Sequence, residues 1–248
     1  MAKNRLYSFA SIGFSLILWE LAAIKVNSKS FPHLKPVFSD LMNLIQTFDF
    51  WRSLTLTLWL ALIGFLIGVV ISLFIGIFIS LNEKINLSLD SSINFLRAIP
   101  SVVFLPLLVA SIGSSMKTSI ILTSLVVSLK MIIYIVRGIE ETEISLIEIS
   151  KVFMLPLRSK LSAIYLPSVI SIAGTGLRLS ASRAFGTVIA CGIVIGAPGL
   201  GQGLLMAESN AQYERVFSYV IILGLLGTSI YSLFNFLENR LFKWRVSI

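Results

Sequence analysis

Two long apolar runs on either side of one polar segment most constrain what this chain can fold into. Residues 119–136 and 169–195 are about 18 and 27 residues long, and each can cross a bilayer as a helix. Residues 137–167, between them, form the longest polar interruption and contain four Glu and four Lys or Arg residues. The pattern predicts a water-exposed loop whose ends are held by two membrane-spanning helices.

The composition agrees with a chain that crosses a membrane several times. Of its 248 residues, 56% are hydrophobic and 13% are charged, whereas soluble domains have about 25% charged residues. The net charge of +8 would favour nucleic-acid binding in a soluble protein, but here the basic residues lie mainly between apolar runs. We therefore predict an all-α polytopic membrane protein and no nucleic-acid partner.

Six apolar segments are predicted to be transmembrane helices, and residues 1–248 are predicted to form one transmembrane domain. The predicted spans are 6–26, 54–81, 98–112, 119–136, 169–195 and 216–237. With both termini inside, the inner segments contain eleven Lys and Arg residues and the outer segments contain six. Because basic residues are retained on the inner side, the N-terminus, the C-terminus and the 137–167 loop are predicted to be cytoplasmic.

Small residues recur every four positions along the second predicted span. This spacing places them on one helix face, where they let the backbone of another helix approach closely. The residues are Gly64, Gly68, Ser72, Gly76 and Ser80. The repeat predicts a tight contact between two helices.

The 137–167 loop is predicted to contain a helix, a bend and a short amphipathic helix at the membrane surface. Residues 141–155 contain no Gly or Pro and are rich in helix-forming residues. Pro156 cannot continue a straight helix but suits the first turn of a new one, so we expect the bend there. Leu166-Pro167 is expected to end the second helix, since a residue before proline avoids the helical region.

This loop resembles the cytoplasmic coupling loop of ABC importer permeases, which reads Glu-Ala-Ala, three residues, Gly, and then a stretch that ends in Leu-Pro. Glu148-Ile149-Ser150 stands in place of Glu-Ala-Ala, and Met154 stands in place of the glycine. The resemblance implies a coupling helix that docks on an ATPase. The residues that it assigns to coupling are Glu148, Ile149, Ser150, Lys151, Met154, Leu166 and Pro167. Lys151 is also close enough along the helix to pair with Glu148.

Further segments extend the resemblance in order over nearly the whole chain. They are similar to the nitrate/sulfonate/taurine group of these permeases. The segments are 19–23, 97–100, 105–108 with Gly113, 176–179, 183–184 and 199–201. At Cys191-Gly192 the chain departs from relatives that often carry an acidic residue, so no substrate is inferred from that position.

The resemblance implies the permease subunit of a binding-protein-dependent ABC importer in a bacterial cytoplasmic (inner) membrane. Such a subunit would work as a homodimer in lipid, with two cytoplasmic ATPase subunits and an extracytoplasmic solute-binding protein. Its solute would be small, possible examples being the anions nitrate and sulfonates, taurine, or a molecule like a thiamine precursor. The glycine-rich segment 196–212 lacks the Lys-Ser/Thr of a nucleotide-binding loop, so we expect neither ATPase activity nor a cofactor.

Two arginines and two prolines in predicted spans are candidates for a polar pathway. Arg178 and Arg183 must face protein or water, because each costs about 2.5–3.5 kcal/mol at a helix centre. They are five residues apart, or about 140° around an ideal helix, so one can face the pathway while the other packs in a polar seam. Pro100 and Pro106 free backbone carbonyls, which suits either a broken helix beside a pathway or a kinked packing helix.

Two other classes of protein stay open at this point. An ion-gradient-driven secondary transporter or channel would usually place carboxylates in the membrane, and Glu20 is the only acidic residue within the predicted spans. A non-transporting membrane scaffold is the other alternative. The single Cys191 and single His33 exclude a disulfide framework and favour no metal site.

Overall fold

The computed structural model describes residues 2–80 and 83–241, and all regular elements in these ranges are helical, as predicted. The α-helices are α1 (Ala2–Val26), α2 (Leu34–Ile45), α3 (Phe48–Ser80), α4 (Glu83–Ala98), α5 (Leu105–Ile112), α6 (Met116–Glu140), α7 (Ile144–Val152), α8 (Leu157–Lys160), α9 (Leu166–Ile195), α10 (Leu200–Ser209) and α11 (Tyr213–Leu241). A 3₁₀ turn, Ser101–Phe104, precedes α5, and a π-helical turn, Leu161–Tyr165, joins α8 to α9.

Four helical stretches of the described chain are long and apolar enough to cross a membrane. They are Phe48–Ser80, Met116–Glu140, Ile172–Ser209 and Tyr213–Arg240. The six-span count and the cytoplasmic termini stay predictions. Leu81, at the end of the second predicted span, and the C-terminal Lys243 and Arg245 lie outside the described residues.

The third predicted span, 98–112, is not one helix. Ser91–Ala98 and Ser101–Ile112 meet at an angle of 88° and are long enough to cross a membrane only as a pair. Pro100 explains the break, because it lacks a backbone N–H and keeps Ile99 out of the helical region. Pro106 causes no second break, since it lies in the first turn of α5, where its N–H would have no partner.

The centre of the fold is the bundle of α3, α6 and α9. The small residues of α3 face α6 at very close range, as their spacing predicts. A Cβ at Gly64 would lie 2.6 Å from Thr123 Cβ, and one at Gly68 would lie 2.7 Å from Val127 Cβ. These two helices can therefore pack this closely only because α3 has no side chain at those positions.

The short helix α10 packs against the end of α9. Gly196 ends α9 in a left-handed conformation, with a φ of 64°, and α10 begins at Leu200. At the contact, a Cβ on Gly192 would lie 2.7 Å from Gly201 Cα. The backbone N–H of Leu200 donates to Thr57 Oγ1 at 2.9 Å, which ties the start of α10 to α3. The glycine-rich segment thus forms a turn and a short helix.

Candidate coupling loop and basic cavity

The loop between α6 and α9 reverses direction at Met154. Met154 has a φ of 47°, in the left-handed region that glycine adopts most easily. The N–H of Leu155 donates to the carbonyl of Ser150 at 3.0 Å, and the N–H of Met154 donates to that of Lys151 at 3.1 Å. This is a Schellman motif, in which the left-handed residue satisfies the last carbonyls of a helix. The expected bend at Pro156 is therefore wrong by two residues, and Met154 has the conformation that suits the motif glycine.

A patch of exposed apolar side chains covers the end of α7 and this turn. Their exposed fractions are 50% for Ile149, 77% for Val152, 72% for Phe153 and 88% for Met154. We call these four residues the coupling patch. Because α7 makes only sparse contacts with the rest of the described chain, the patch projects away from the bundle. A contiguous apolar surface on a polar loop is typical of a site that binds another protein.

The polar residues of α7 have different surroundings. Glu148 and Lys151 are exposed, and within residues 2–80 and 83–241 they form no ion pair with each other. Ser150 is buried, and its hydroxyl donates to the carbonyl of Ile147 at 2.6 Å. Glu148 is therefore free to meet a partner, whereas the Ser150 hydroxyl already has a partner within α7.

Leu166-Pro167 does not end a helix, contrary to expectation. The chain runs from α8 through the π-helical turn directly into α9, whose first residues are Leu166 and Pro167. The wider π-helical turn ends at Tyr165, two residues before Pro167. A regular helix would have to accommodate the proline ring and the missing N–H at this point. Both residues are exposed and lie at the base of the loop, where the membrane helix begins.

The base of the loop is held by direct contact between α6 and α9. A Cβ on Gly138 would lie 2.7 Å from Val169 Cα, so the two backbones touch there. Thr142 is buried, and its hydroxyl donates to the carbonyl of Gly138 at 3.3 Å. The two ends of the loop are therefore anchored on two packed helices.

A second candidate site is a cavity of about 200 Å³. It lies between helix α6, helix α9 and the break in the chain that follows α4. Three basic side chains from three elements line it: Arg97, Lys130 and Arg183. Pro100 contributes to its wall, and its lining residues include no Asp or Glu. We call it the basic cavity. The charged groups that line it are all positive, and it lies beside a broken helix.

Arg178 faces a different neighbour from Arg183, as their angular separation predicts. Its Nη1 lies 3.3 Å from Glu238 Oε2 on α11 and also donates to Asn235 Oδ1. The Tyr231 ring centroid is 5.2 Å from Arg178 Cζ, and Thr175 Oγ1 donates to Glu238 Oε1 at 3.0 Å. Arg178 thus belongs to a polar seam between α9 and α11.

Glu20 is the only acidic residue within the predicted spans, but Glu238 lies one residue beyond the last of them. Glu238 lies in the helical stretch Tyr213–Arg240, and only 12% of its side chain is exposed. Glu20 accepts a hydrogen bond from the N–H of Leu34 at 3.0 Å and contacts His33 Nδ1 at 2.8 Å. It therefore binds the first turn of α2 and is not an isolated carboxylate in the membrane.

The structure thus brings together only some of the residues selected from the sequence. Arg183 and Pro100 share the basic cavity, while Arg178 and Pro106 lie elsewhere. Arg97 and Lys130 were missed as site residues because they were counted among the loop and helix-end charges. Lys130 carried one usable signal, since it is a cation within the predicted span 119–136.

The fold and the loop together define the membrane component of a transport system. Residues 68–243 match the family described as binding-protein-dependent transport system inner membrane component. The chain belongs to this family, and the resemblance to ABC importer permeases of the nitrate/sulfonate group is confirmed.

Curated relatives include permeases named for sulfonate and nitrate transport. The chain is 28% identical over 204 residues to SsuC of Bacillus subtilis (strain 168), named as an aliphatic sulfonates transport permease, covering 82% of this chain and 74% of that protein. It is 27% identical over 238 residues to SsuC of Escherichia coli (strain K12), covering 95% of this chain and 90% of that protein. The nitrate import permease NrtB of Leptolyngbya laminosa is 21% identical over 151 residues, covering 61% of this chain and 54% of that protein.

Solved structures share the fold at lower sequence identity. An inward-facing structure of the MetNI methionine ABC transporter superposes with a TM-score of 0.69 at 17% identity, covering 78% of this chain and 96% of that chain. An amino acid ABC transporter superposes with a TM-score of 0.65 at 20% identity, covering 77% of this chain and 94% of that chain. The ABC importer permease fold is therefore confirmed.

Proposed function

We propose that this permease moves a small solute inward across a bacterial cytoplasmic (inner) membrane, using ATP that a separate subunit hydrolyses. The observation that carries the proposal is the coupling patch, which projects from the bundle at the position of the family's coupling helix. The partners would be two cytoplasmic ATPase subunits, an extracytoplasmic solute-binding protein, a second copy of this chain and membrane lipid. The names of the relatives favour a small anion as the solute.

The coupling mechanism follows from the geometry of the loop. A short helix with apolar anchors at i, i+3 and i+4 suits an apolar groove, and Ile149, Val152 and Phe153 have this spacing. When ATP closes the ATPase dimer, the groove moves and carries α7 with it. The Schellman turn at Met154 and the close contact of Gly138 with Val169 make the loop base stiff. The movement therefore reaches α6 and α9 together, and alternating access results when the two bundles rock.

Leu166, Pro167 and Lys151 have supporting roles in this proposal. Leu166 and Pro167 start α9 at the loop base, so they transmit the movement of α7 to the membrane helix. Lys151 and Glu148 would meet polar groups at the rim of the groove, where charges fix orientation more than they add affinity.

Co-purification tests this proposal against the two alternatives. The full chain, with an affinity tag, is expressed with the ABC-type ATPase encoded nearest to it in the genome and extracted in mild detergent. We expect the ATPase to remain bound in equal numbers of copies through size-exclusion chromatography. A secondary transporter, a channel or a scaffold would elute without it, and that result would contradict the proposal.

A further inference from the structure

We propose that Arg97, Lys130 and Arg183 form an anion-binding site in the basic cavity, at which the solute is held halfway across the membrane. The statement that the bound anion is transported rests on the proposed function. The sign of the ligand's charge follows from the cavity itself. The ligand class is a small organic anion with a short apolar portion.

The positive charges of the cavity have no acidic partner in the part of the chain that the structure describes. The salt bridges formed there are those of Glu20, Glu238 and Asp40, and they involve none of the three cations. Arg97 donates from Nη1 to Asn94 Oδ1 at 3.0 Å, which is a bond to a neutral group. Three like charges around one small space repel each other. Lys130 is also half-buried, so its unpaired charge carries an added cost, whereas Arg97 and Arg183 are exposed. A bound anion removes both penalties, so the cavity favours anionic ligands.

The depth of the cations in the fold also indicates a site for a transported ligand. Lys130 lies near the middle of α6 (Met116–Glu140), and Arg183 lies near the middle of α9 (Leu166–Ile195). The break between Ala98 and Ser101 reaches the same cavity. Unpaired charges at this depth are rare unless they serve a ligand or ion, and broken helices commonly line such sites.

The remaining wall fits an apolar portion of the ligand. Phe104, Leu125 and Leu129 also line the cavity. A few placed polar groups in a largely apolar wall are typical of a site that fixes the orientation of a small molecule. The anionic head would contact the three cations, and the apolar portion would pack against these side chains.

A second cavity of about 380 Å³ lies beside this site, on the side nearer the coupling loop. Arg97 lines both cavities, and Asn86, Asn94, Arg137 and Glu140 line the second. Asn86 Nδ2 donates to Glu140 Oε1 at 2.6 Å, at the end of α6 where the coupling loop begins. Arg97 would therefore pass the anion from the site to a polar exit that adjoins the moving loop.

The charge of the cavity can be measured with thiol reagents, without knowledge of the natural solute. The purified full chain in detergent carries Cys191→Ala, which removes its one cysteine, and Ser101→Cys, which places a thiol on the cavity wall. The rates of labelling by anionic sulfonatoethyl methanethiosulfonate and by cationic trimethylammonioethyl methanethiosulfonate are compared. Ser111→Cys, exposed on α5 outside the cavity, is the matched control.

We expect the ratio of anionic to cationic labelling rates to be about tenfold higher at Ser101→Cys than at Ser111→Cys. Lys130→Gln and Arg183→Gln should each lower that ratio several-fold, while Lys130→Arg should preserve it. Excess ethanesulfonate should slow anionic labelling at Ser101→Cys alone. Equal ratios at the two cysteines, a ratio insensitive to Lys130→Gln, or no labelling of Ser101→Cys would overturn the inference.

Co-purification of the ATPase with the same variants separates this inference from the proposed function. If the labelling ratios are equal but the ATPase stays bound, the anion site is wrong and the permease assignment stands. If the anionic preference is present but no ATPase binds, the site stands and the coupling proposal is wrong.

Discussion

Charge reversal at Glu148 is expected to lower ATPase binding and ATP-driven uptake by at least about tenfold, while the permease still inserts and dimerises. Glu148 is exposed on α7 and pairs with no basic residue in the described chain, so its loss should cost the permease itself little. In the proposed complex, however, a lysine would place a charge of the wrong sign against the polar groups that Glu148 meets at the rim, and like-charge contacts typically cost several kcal/mol. The measurement is ATPase retention and hydrolysis rate in the purified complex.

Glu141→Lys is the matched control for this prediction. Glu141 is also exposed, but it lies at the end of α6, before the coupling patch begins. We expect its reversal to change ATPase retention by less than about twofold, since an exposed charge away from an interface contributes about 0–1 kcal/mol. Equal, mild effects at both positions would mean that the loop is only a tether and does not couple the subunits.

A leucine at Gly68 is expected to prevent most of the chain from accumulating as a folded, monodisperse protein. A Cβ there would lie 2.7 Å from the carbonyl oxygen of Ser124 and 2.7 Å from Val127 Cβ, and the rest of the side chain has no space. Overpacking of a core typically costs about 1–3 kcal/mol, and here two helix backbones would also have to separate. The yield after size-exclusion chromatography and the thermal unfolding midpoint measure the effect.

Gly224→Leu provides the comparison, because Gly224 is on a membrane helix but a Cβ there would meet nothing within 4 Å. Its yield and unfolding midpoint should stay close to those of the unaltered chain. If Gly68→Leu were as stable as Gly224→Leu, the close packing of α3 against α6 would be wrong.

Sequence reasoning succeeded where the signal was periodic or had a defined spacing. The apolar runs predicted helices at α3, α6, α9 and α11, because in lipid the backbone must satisfy its own hydrogen bonds. The four-residue repeat of small residues predicted the face of α3 that meets α6. The spacing from Glu148 to Leu166-Pro167 identified the family, although the motif's glycine and alanines are absent.

It failed where the structure depends on contacts between distant parts of the chain. The bend was expected at Pro156, because proline is a strong local signal, whereas a left-handed Met154 has no such signal. Likewise, nothing along the sequence shows that Arg97, Lys130 and Arg183 line one cavity. The pairing of Arg178 with Glu238 was missed because Glu238 lies just beyond the predicted span 216–237 and on a different helix from Arg178.

The most direct test of the central claim is the energy source for transport in proteoliposomes. The permease, its ATPase and its solute-binding protein are reconstituted with ATP inside, and uptake of labelled ethanesulfonate, taurine and nitrate is measured in turn. We expect uptake of at least one solute to require ATP and the binding protein, and to be unchanged when ion gradients are collapsed. Uptake that proceeds without ATP and follows a proton or sodium gradient would contradict the assignment.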